Sequence, residues 1–262
     1  MKTYSIFETH AHYDDEAFEP DRDGLLSSLQ GNGIGTVVNV CASVGELGRT
    51  IALTEKYPFV YGAVGVHPDD ADKMTEQTLN EIRELSRREK ILAIGEIGLD
   101  YYWHKEEAAH EIQKKMFRAQ MDIAREEKLP FMIHSRDAAK DTLDIVKEYM
   151  DEGMYGGIIH CFSYGKEMAE QYLNMGLYLG IGGVVTFKNA KKLKEVVEYA
   201  PLEQLVLETD SPYLSPEPNR GKRNSSLNLP YVARAIGELK GISEEEVIRI
   251  TGQNAEKLLF HR

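Results

Sequence analysis

Six side chains with nitrogen or oxygen donors end or follow short aliphatic runs in the chain; they are His10, His12, Glu96, His134, His160 and Asp210. Four imidazoles and two carboxylates form a ligand set that suits Zn, Mn or Fe and, with lower affinity, Mg. Six donors exceed what one catalytic ion needs, so the set predicts two ions with Glu96 as the shared carboxylate. Paired ions can activate water and polarise a phosphoryl or carbonyl oxygen. The predicted chemistry is hydrolysis.

These donors need a fold that brings distant positions together. Eight β-branched or aliphatic runs are predicted to be strands, at residues 4–9, 36–40, 60–66, 91–97, 130–133, 157–160, 177–181 and 205–209. Seven intervals of about 28 residues separate them, each with room for a helix. Alternating strands and helices predict a parallel sheet. Eight such units in about 250 residues predict a (β/α)8 TIM barrel that forms one domain over residues 1–262.

A barrel of this kind collects the carboxyl ends of its strands on one face, where active sites are built. His10 and His12 are two positions apart, so both imidazoles point to the same side of their strand. The six donors are therefore predicted to form one site at the C-terminal face of the strands.

Two helices are predicted in detail. An apolar stripe at helical spacing predicts an outer amphipathic helix, with Ile112, Met116, Ala119 and Ile123 on its buried face. Ser243 followed by Glu246 predicts a capping box, and Gly252 is expected to end the helix that begins there. The segment 215–228, rich in Pro, Gly, Asn and Arg, is predicted to be an extended loop.

Composition limits the function further. The net charge of −12 disfavours non-specific coating of nucleic acid but allows a polyanion to be held locally by metal ions. The longest uncharged stretch, residues 24–45, contains too many polar residues for a membrane span. A carboxylate at Glu8 argues against a secretory signal, and two cysteines provide neither a disulfide framework nor a thiolate zinc cage. We expect a cytoplasmic protein without an obligate protein partner.

The motifs around these residues resemble the TatD family of metal-dependent deoxyribonucleases, within the amidohydrolase-like barrels. The segments that carry the resemblance are Glu8-Thr-His-Ala-His12, Gly65-Val-His-Pro68, Gly95-Glu-Ile-Gly-Leu-Asp-Tyr101, Pro130-Phe-Met-Ile-His-Ser-Arg-Asp137, Gly157-Ile-Ile-His-Cys-Phe162, Glu208-Thr-Asp-Ser-Pro212, Arg220-Gly-Lys-Arg-Asn224 and Asn254-Ala. They extend over nearly the whole chain. Amidohydrolases of the carboxylated-lysine type would present a lysine where the fourth strand has Glu96.

The resemblance implies two divalent ions (Mg, Mn or Zn), with His10, His12 and Asp210 on one ion. It places His134 and His160 on the other, with Glu96 shared. It also implies exonuclease-type hydrolysis of DNA at 3′ ends or in single strands. The alternative substrate is an ester, either D-aminoacyl-tRNA or another small ester or amide, and a metal-stabilised binding protein is a third hypothesis.

Further residues near the predicted site have candidate roles. Either Asp210 or Glu208 is expected to take the proton of the attacking water, with Asp210 favoured because a ligand carboxylate touches that water. His67 and Arg136, at strand ends, and Arg220 and Arg223, in the loop after the last strand, are candidates for substrate contact, since guanidinium groups match phosphate oxygens. The aromatic run at residues 101–103 could stack on a base or pack in the core.

Overall fold

The computed structural model describes residues 5–260, which form one parallel sheet of eight strands in the order of the chain. The strands are β1 (Ile6–Ala11), β2 (Ile34–Val40), β3 (Val60–Val64), β4 (Ile91–Asp100), β5 (Phe131–Arg136), β6 (Gly157–Ile159), β7 (Tyr178–Ile181) and β8 (Leu205–Leu207). Each predicted run overlaps one of them, although β1, β2, β4 and β5 extend beyond the predicted bounds. Residue 4, where the first run was predicted to begin, lies outside the described residues.

Helices follow the strands on the outside of the sheet. They are α1 (Arg22–Leu29), α2 (Leu47–Lys56), α3 (Glu76–Ser86), α4 (Glu107–Glu127), α5 (Ala139–Asp151), α6 (Lys166–Asn174), α7 (Lys191–Tyr199), α8 (Leu229–Lys240) and α9 (Glu244–Leu259). None of the helices within residues 5–260 combines the length and apolar character needed to span a bilayer.

The sheet closes between its first and last strands. Ala11, at the end of β1, forms a parallel bridge with Ser211, just beyond β8. The amide of His12 donates to the Ser211 carbonyl at 2.8 Å, and the amide of Asp210 donates to the His10 carbonyl at 3.0 Å. Eight strands with alternating helices and this closure confirm the predicted (β/α)8 TIM barrel.

An apolar layer lies beneath the predicted donors. Met132, Ile158 and Val206 are buried in one cluster with Leu258 and Leu259 of α9. Met132 and His134 are two positions apart on β5 and share a strand face. Ile158 and Val206 lie two and four positions before His160 and Asp210, which follow β6 and β8. The strands therefore present donors at their carboxyl ends above an apolar floor that the last helix helps to form.

Two helix predictions were wrong in detail. In α4 Ile123 is buried as predicted and Met116 and Ala119 are half-buried, but Ile112 is exposed. The buried face also carries Gln113, Phe117 and Gln120. The glutamines are buried because their amides pair with backbone: Gln120 accepts from and donates to Val66 at 2.7 and 3.1 Å.

The second error concerns the end of α9. Ser243 accepts from the amide of Glu246 as predicted, but the helix continues through Gly252 to Leu259. Gly252 does not end the helix because burial of the following residues, among them Leu258 and Leu259, stabilises two further turns.

Candidate metal centre

The structure brings the six predicted donors together around Glu96, which is buried in β4. Its Oε2 lies 3.3 Å from His10 Nε2 and 3.6 Å from His12 Nε2. Its Oε1 lies 3.0 Å from His134 Nδ1 and 3.7 Å from His160 Nε2. The two oxygens of one carboxylate thus face two different groups of imidazoles.

Asp210 completes the ring of donors from the end of β8. Its Oδ1 is 3.3 Å from His12 Nε2 and 3.6 Å from His160 Nε2. His160 is therefore about equally close to Asp210 and Glu96. Its ring also stacks on His10 with 3.4 Å between centroids. Among the six donors, Asp210 and His134 are the most exposed to solvent.

Hydrogen bonds on the far side of three imidazoles determine which nitrogen faces the centre. His12 Nδ1 donates to the Val40 carbonyl at 2.7 Å. His134 Nε2 donates to Asp100 Oδ2 at 3.1 Å, and His160 Nδ1 donates to Glu208 Oε2 at 3.0 Å. Because carbonyl and carboxylate oxygens only accept, each outer nitrogen carries a proton, and the inner nitrogen is the one that can offer a lone pair to a cation. This is the arrangement that metal-ligating histidines need.

The electrostatics of the centre favour added positive charge. Burial alone would lower the pKa of His12 and of His134, but the hydrogen bonds to Asp210 and Asp100 and the charge of Glu96 outweigh it and raise each pKa to about 9. Burial would raise the pKa of Glu96, yet the neighbouring imidazoles hold it well below its usual range. In the absence of a cation, protons on the imidazoles supply the charge that these carboxylates attract.

The donor set fits divalent cations. Three buried or nearly buried clusters each place their donor atoms within 4.8 Å of one another, in the combinations His10-His12-Glu96, His10-His160-Asp210 and His67-Glu96-His134. Within the described residues, His10 Nδ1 is buried without a hydrogen-bond partner. Burial and His160 lower the pKa of His10 to about 4, so its ring is neutral and able to ligate at neutral pH.

Glu208 stands behind His160. It is fully buried, and both oxygens are engaged: Oε2 accepts from His160 Nδ1 and Oε1 accepts from the Cys161 amide at 2.6 Å. Gly180 leaves the room for this carboxylate, since a Cβ there would lie 2.1 Å from Glu208 Oε2. Glu208 contacts the centre through His160, whereas Asp210 contacts it directly.

His67 lies at the edge of the centre, where its ring meets His134 edge-on with 4.2 Å between centroids. Its Nδ1 accepts from the Asp69 amide at 3.2 Å. Burial and the charge of His134 lower the pKa of His67 to about 4, so the neutral ring carries its proton on Nε2. Nε2 lies 3.8 Å from Glu96 Oε1, which is beyond hydrogen-bond distance.

The three predicted substrate arginines differ in their surroundings. Arg136, at the end of β5, stacks on the Tyr102 ring at 3.9 Å, and Arg220 stacks on Phe187 at 4.3 Å. No carboxylate pairs with either of them among residues 5–260. Arg223 is instead held by a two-pronged ion pair with Asp21, at 2.8 and 2.6 Å.

Asp100 is a site residue that the sequence reasoning missed. It is buried at the end of β4 and orients His134, as Glu208 orients His160. Burial would raise its pKa, but hydrogen bonds from His134 and from backbone amides lower the pKa to about 2. Its position as an acidic residue at a strand end, inside the motif that begins at Gly95, was the available signal.

The chain is similar to other proteins along almost its full length. Residues 7–260 match the model of a family described as TatD related DNase. An uncharacterized metal-dependent hydrolase of Bacillus subtilis, YabD, is 45% identical over 253 residues, covering 97% of this chain and 98% of that protein. YcfH of Escherichia coli K12, with the same description, is 34% identical over 260 residues, covering 98% of this chain and 96% of that protein.

Solved structures show the same similarity. The crystal structure of YjjV, a TatD homologue from Escherichia coli K12, superposes with a TM-score of 0.90 at 27% identity and covers 98% of both chains. A TatD family hydrolase from Entamoeba histolytica superposes with a TM-score of 0.86 at 24% identity over the full length of both chains, which supports the fold.

Proposed function

The chain belongs to the TatD related DNase family of metal-dependent hydrolases, and we propose that it hydrolyses phosphodiester bonds of DNA as an exonuclease acting on 3′ ends or single strands. The observation that carries the proposal is the position of Glu96 between two groups of imidazoles. One carboxylate that faces two donor groups suits two divalent ions (Mg, Mn or Zn). When bound, such ions supply a water of lowered pKa and charge stabilisation at phosphoryl oxygens.

The protein's own residues have distinct roles in this proposal. His10, His12, His134, His160, Glu96 and Asp210 hold the ions. Asp210 is the proposed proton acceptor, because its carboxylate lies at the centre and is partly open to solvent, where water enters. Glu208, enclosed behind His160 with both oxygens occupied, is better suited to orient that ring.

Contacts to the substrate are proposed for His67, Arg136 and Arg220. The His67 N–H beside Glu96 can donate to a phosphoryl oxygen. Arg136 lies at the end of β5, and Arg220 lies in the segment after β8 and stacks on Phe187, which follows β7. Both lack a carboxylate partner within the described residues, so they offer positive charge at the mouth of a protein whose net charge is −12. Arg223, already paired with Asp21, is left with a structural role.

We place the activity in the cytoplasm and assign it to the whole chain as one unit. Both Cys41 and Cys161 are free thiols, as a reducing compartment would keep them. Donors from β1 to the end of β8 share one centre, so no half of the barrel holds a complete site.

The test is nucleotide release from single-stranded DNA labelled at either end, with Mg²⁺, Mn²⁺ or Zn²⁺, after chelation, and with the Asp210→Asn variant. We expect metal-dependent shortening that is lost in the variant while its thermal unfolding stays close to that of the wild type. The labelled end that disappears gives the polarity. Bound metal without cleavage of any DNA would refute the DNase proposal and direct the search to D-aminoacyl-tRNA and other small esters.

A further inference from the structure

Two large aromatic side chains follow β4 in an unusually exposed position. Trp103 is 65% exposed and Tyr102 is 42% exposed, and their rings meet edge-on with 4.7 Å between centroids. The neighbouring Tyr101 shows the ordinary alternative: its ring stacks on His110 at 3.6 Å and its hydroxyl donates to Asp141. Packing within the protein therefore accounts for Tyr101 but leaves much of Tyr102 and Trp103 exposed to solvent.

Positive charge accompanies these open rings. The Arg136 guanidinium lies 3.9 Å from the centroid of Tyr102 and 5.5 Å from that of Trp103. Lys105 Nζ lies 5.2 Å from the Tyr102 ring. Neither cation has a carboxylate partner within residues 5–260. Exposed aromatic rings beside such cations are the combination by which proteins hold single-stranded nucleic acid, because bases stack on the rings while cations contact phosphates.

Asp100 connects the aromatic platform, formed by Tyr102 and Trp103, to the metal centre through hydrogen bonds. Its Oδ2 accepts from His134 Nε2, and its Oδ1 accepts from the backbone amides of Tyr102 and Trp103 at 2.9 and 3.1 Å. Arg136 is two positions after His134 on β5, so it lies on the same strand face as that ligand. One carboxylate thus forms hydrogen bonds both to the backbone that carries the aromatic rings and to the candidate ligand His134.

We infer that Tyr102, Trp103 and Arg136 form a nucleobase-stacking subsite for the nucleotide adjacent to the bond that is hydrolysed. A base in a duplex is covered by its neighbours, so the platform accepts a base only at an unpaired end or in a single strand. Stacking does not distinguish the four bases, and the subsite therefore gives preference for strand state with tolerance of sequence. This inference rests on the proposed nuclease function.

The first test compares substrates with and without the base. Oligo-dT and the same oligonucleotide with abasic residues at the two positions nearest the hydrolysed end are given to the wild type and to Trp103→Ala. We expect Trp103→Ala to lower kcat/KM on oligo-dT by about 5- to 150-fold, the usual range for loss of one stacked base. On the abasic substrate, kcat/KM of the wild type is expected to be lower than on oligo-dT by a similar factor. Trp103→Ala is expected to have the same kcat/KM as the wild type on that substrate. Trp103→Phe restores most of the activity on oligo-dT.

Tyr199→Ala is the matched control. Tyr199 is 40% exposed and carries the Lys166 ammonium 4.1 Å from its ring centroid, on the outer helices α6 and α7. Its removal deletes an exposed aromatic partner of a cation on helices that carry none of the candidate ligands. Activity on both substrates is expected to stay at the wild-type level.

The second test uses fluorescence, because Trp103 is the only tryptophan in the chain. Metal-loaded protein is titrated with a phosphorothioate oligo-dT that resists cleavage, while anisotropy of a label on the oligonucleotide reports binding independently. Saturable quenching of Trp103 that follows the anisotropy, and that is absent with the abasic oligonucleotide, is the expected result.

Two outcomes overturn the subsite. If oligonucleotides bind and are cleaved but Trp103 emission does not respond, or if Trp103→Ala reduces activity equally on both substrates, the rings have a structural role only. If no oligonucleotide binds or is cleaved by the wild type, the nuclease proposal itself fails and the subsite fails with it. Substrate cleavage by the wild type distinguishes the two cases.

Discussion

Replacement of Glu208 by glutamine separates an orienting role from a role as proton acceptor. The Cys161 amide is fixed in the backbone, so the amide oxygen of Glu208→Gln stays with it and the NH₂ group faces His160 Nδ1. Two donors cannot share that contact, and an unsatisfied buried donor costs about 1–3 kcal/mol. The ring can avoid this cost by moving its proton to Nε2, which removes the lone pair that faces Asp210. Either route weakens ligation by His160.

The magnitude follows from that single contact. A cost of about 1–3 kcal/mol corresponds to about 5- to 150-fold in affinity, which agrees with the 10- to 100-fold effects typical of residues that orient metal ligands. We therefore expect Glu208→Gln to weaken metal binding by about this factor. Activity should recover in part as metal concentration is raised, because the proposed proton acceptor, Asp210, is intact.

Glu8→Gln is the matched control, since Glu8 is also a fully buried glutamate. Its Oε1 accepts from the amides of His10 and Thr209, while its Oε2 faces the hydroxyls of Thr209 and Ser226 at 2.7 and 2.9 Å. Hydroxyls can accept as well as donate, so both can turn to accept from the NH₂ group of a glutamine, which the His160 N–H cannot do. Burial raises the pKa of Glu8 to about 8, so the native group is already mostly neutral at pH 7. The free energy of unfolding should change by less than about 1 kcal/mol.

The assay is metal titration by calorimetry for both variants at pH 7, with hydrolysis at several metal concentrations and thermal unfolding. Weaker metal binding in Glu208→Gln and unchanged binding in Glu8→Gln are expected. Wild-type metal affinity in Glu208→Gln together with complete loss of hydrolysis would refute the reasoning and make Glu208 the proton acceptor. An equal loss of metal affinity in the two variants would mean that the direction of the hydrogen bond between Glu208 and His160 does not determine metal binding.

Three further predictions concern the candidate metal ligands and the arginines of the loop after β8. His134→Ala should weaken one ion more than the other, and a titration with equal loss at two sites would contradict the division of ligands. Arg220→Ala should raise KM about tenfold and should reduce by about one the slope of log DNA affinity against log salt concentration. Arg223→Ala breaks the exposed pair with Asp21, so it should lower thermal stability slightly and leave KM unchanged. Because the pKa of His12 and of His134 is raised to about 9 without metal, both rings are protonated at pH 7 and must release protons on metal binding. Metal affinity should therefore rise with pH up to about 9, and calorimetry in buffers of different ionisation enthalpy should show the proton release.

The barrel was predictable from sequence because buried parallel strands appear as continuous apolar runs, and eight of them recur at regular spacing. The buried face of α4 was not predictable from hydrophobicity. Gln113 and Gln120 are polar, yet they are buried because they satisfy backbone groups in neighbouring loops. The length of α9 depended in the same way on contacts with strands that are distant in sequence.

At the site, the strand-end rule predicted six donors, and the structure places them around Glu96. The direction of individual hydrogen bonds lay beyond the sequence. Whether Glu208 faces water or His160, and whether His67 presents a lone pair or a proton, depends on side-chain positions of a few ångströms. Arg223 pairs with Asp21, which is about 200 positions away in the chain, and no local sequence pattern predicts this pair.

The closure of β1 against the end of β8 has a consequence for the timing of activity during synthesis. His10 and His12 leave the ribosome about 200 residues before Asp210 and the Ser211 carbonyl that binds the His12 amide. A nascent or truncated polypeptide that ends before β8 has neither the closed sheet nor the full donor set. A hydrolase built in this way stays inert until β8 and the residues that follow it have been made.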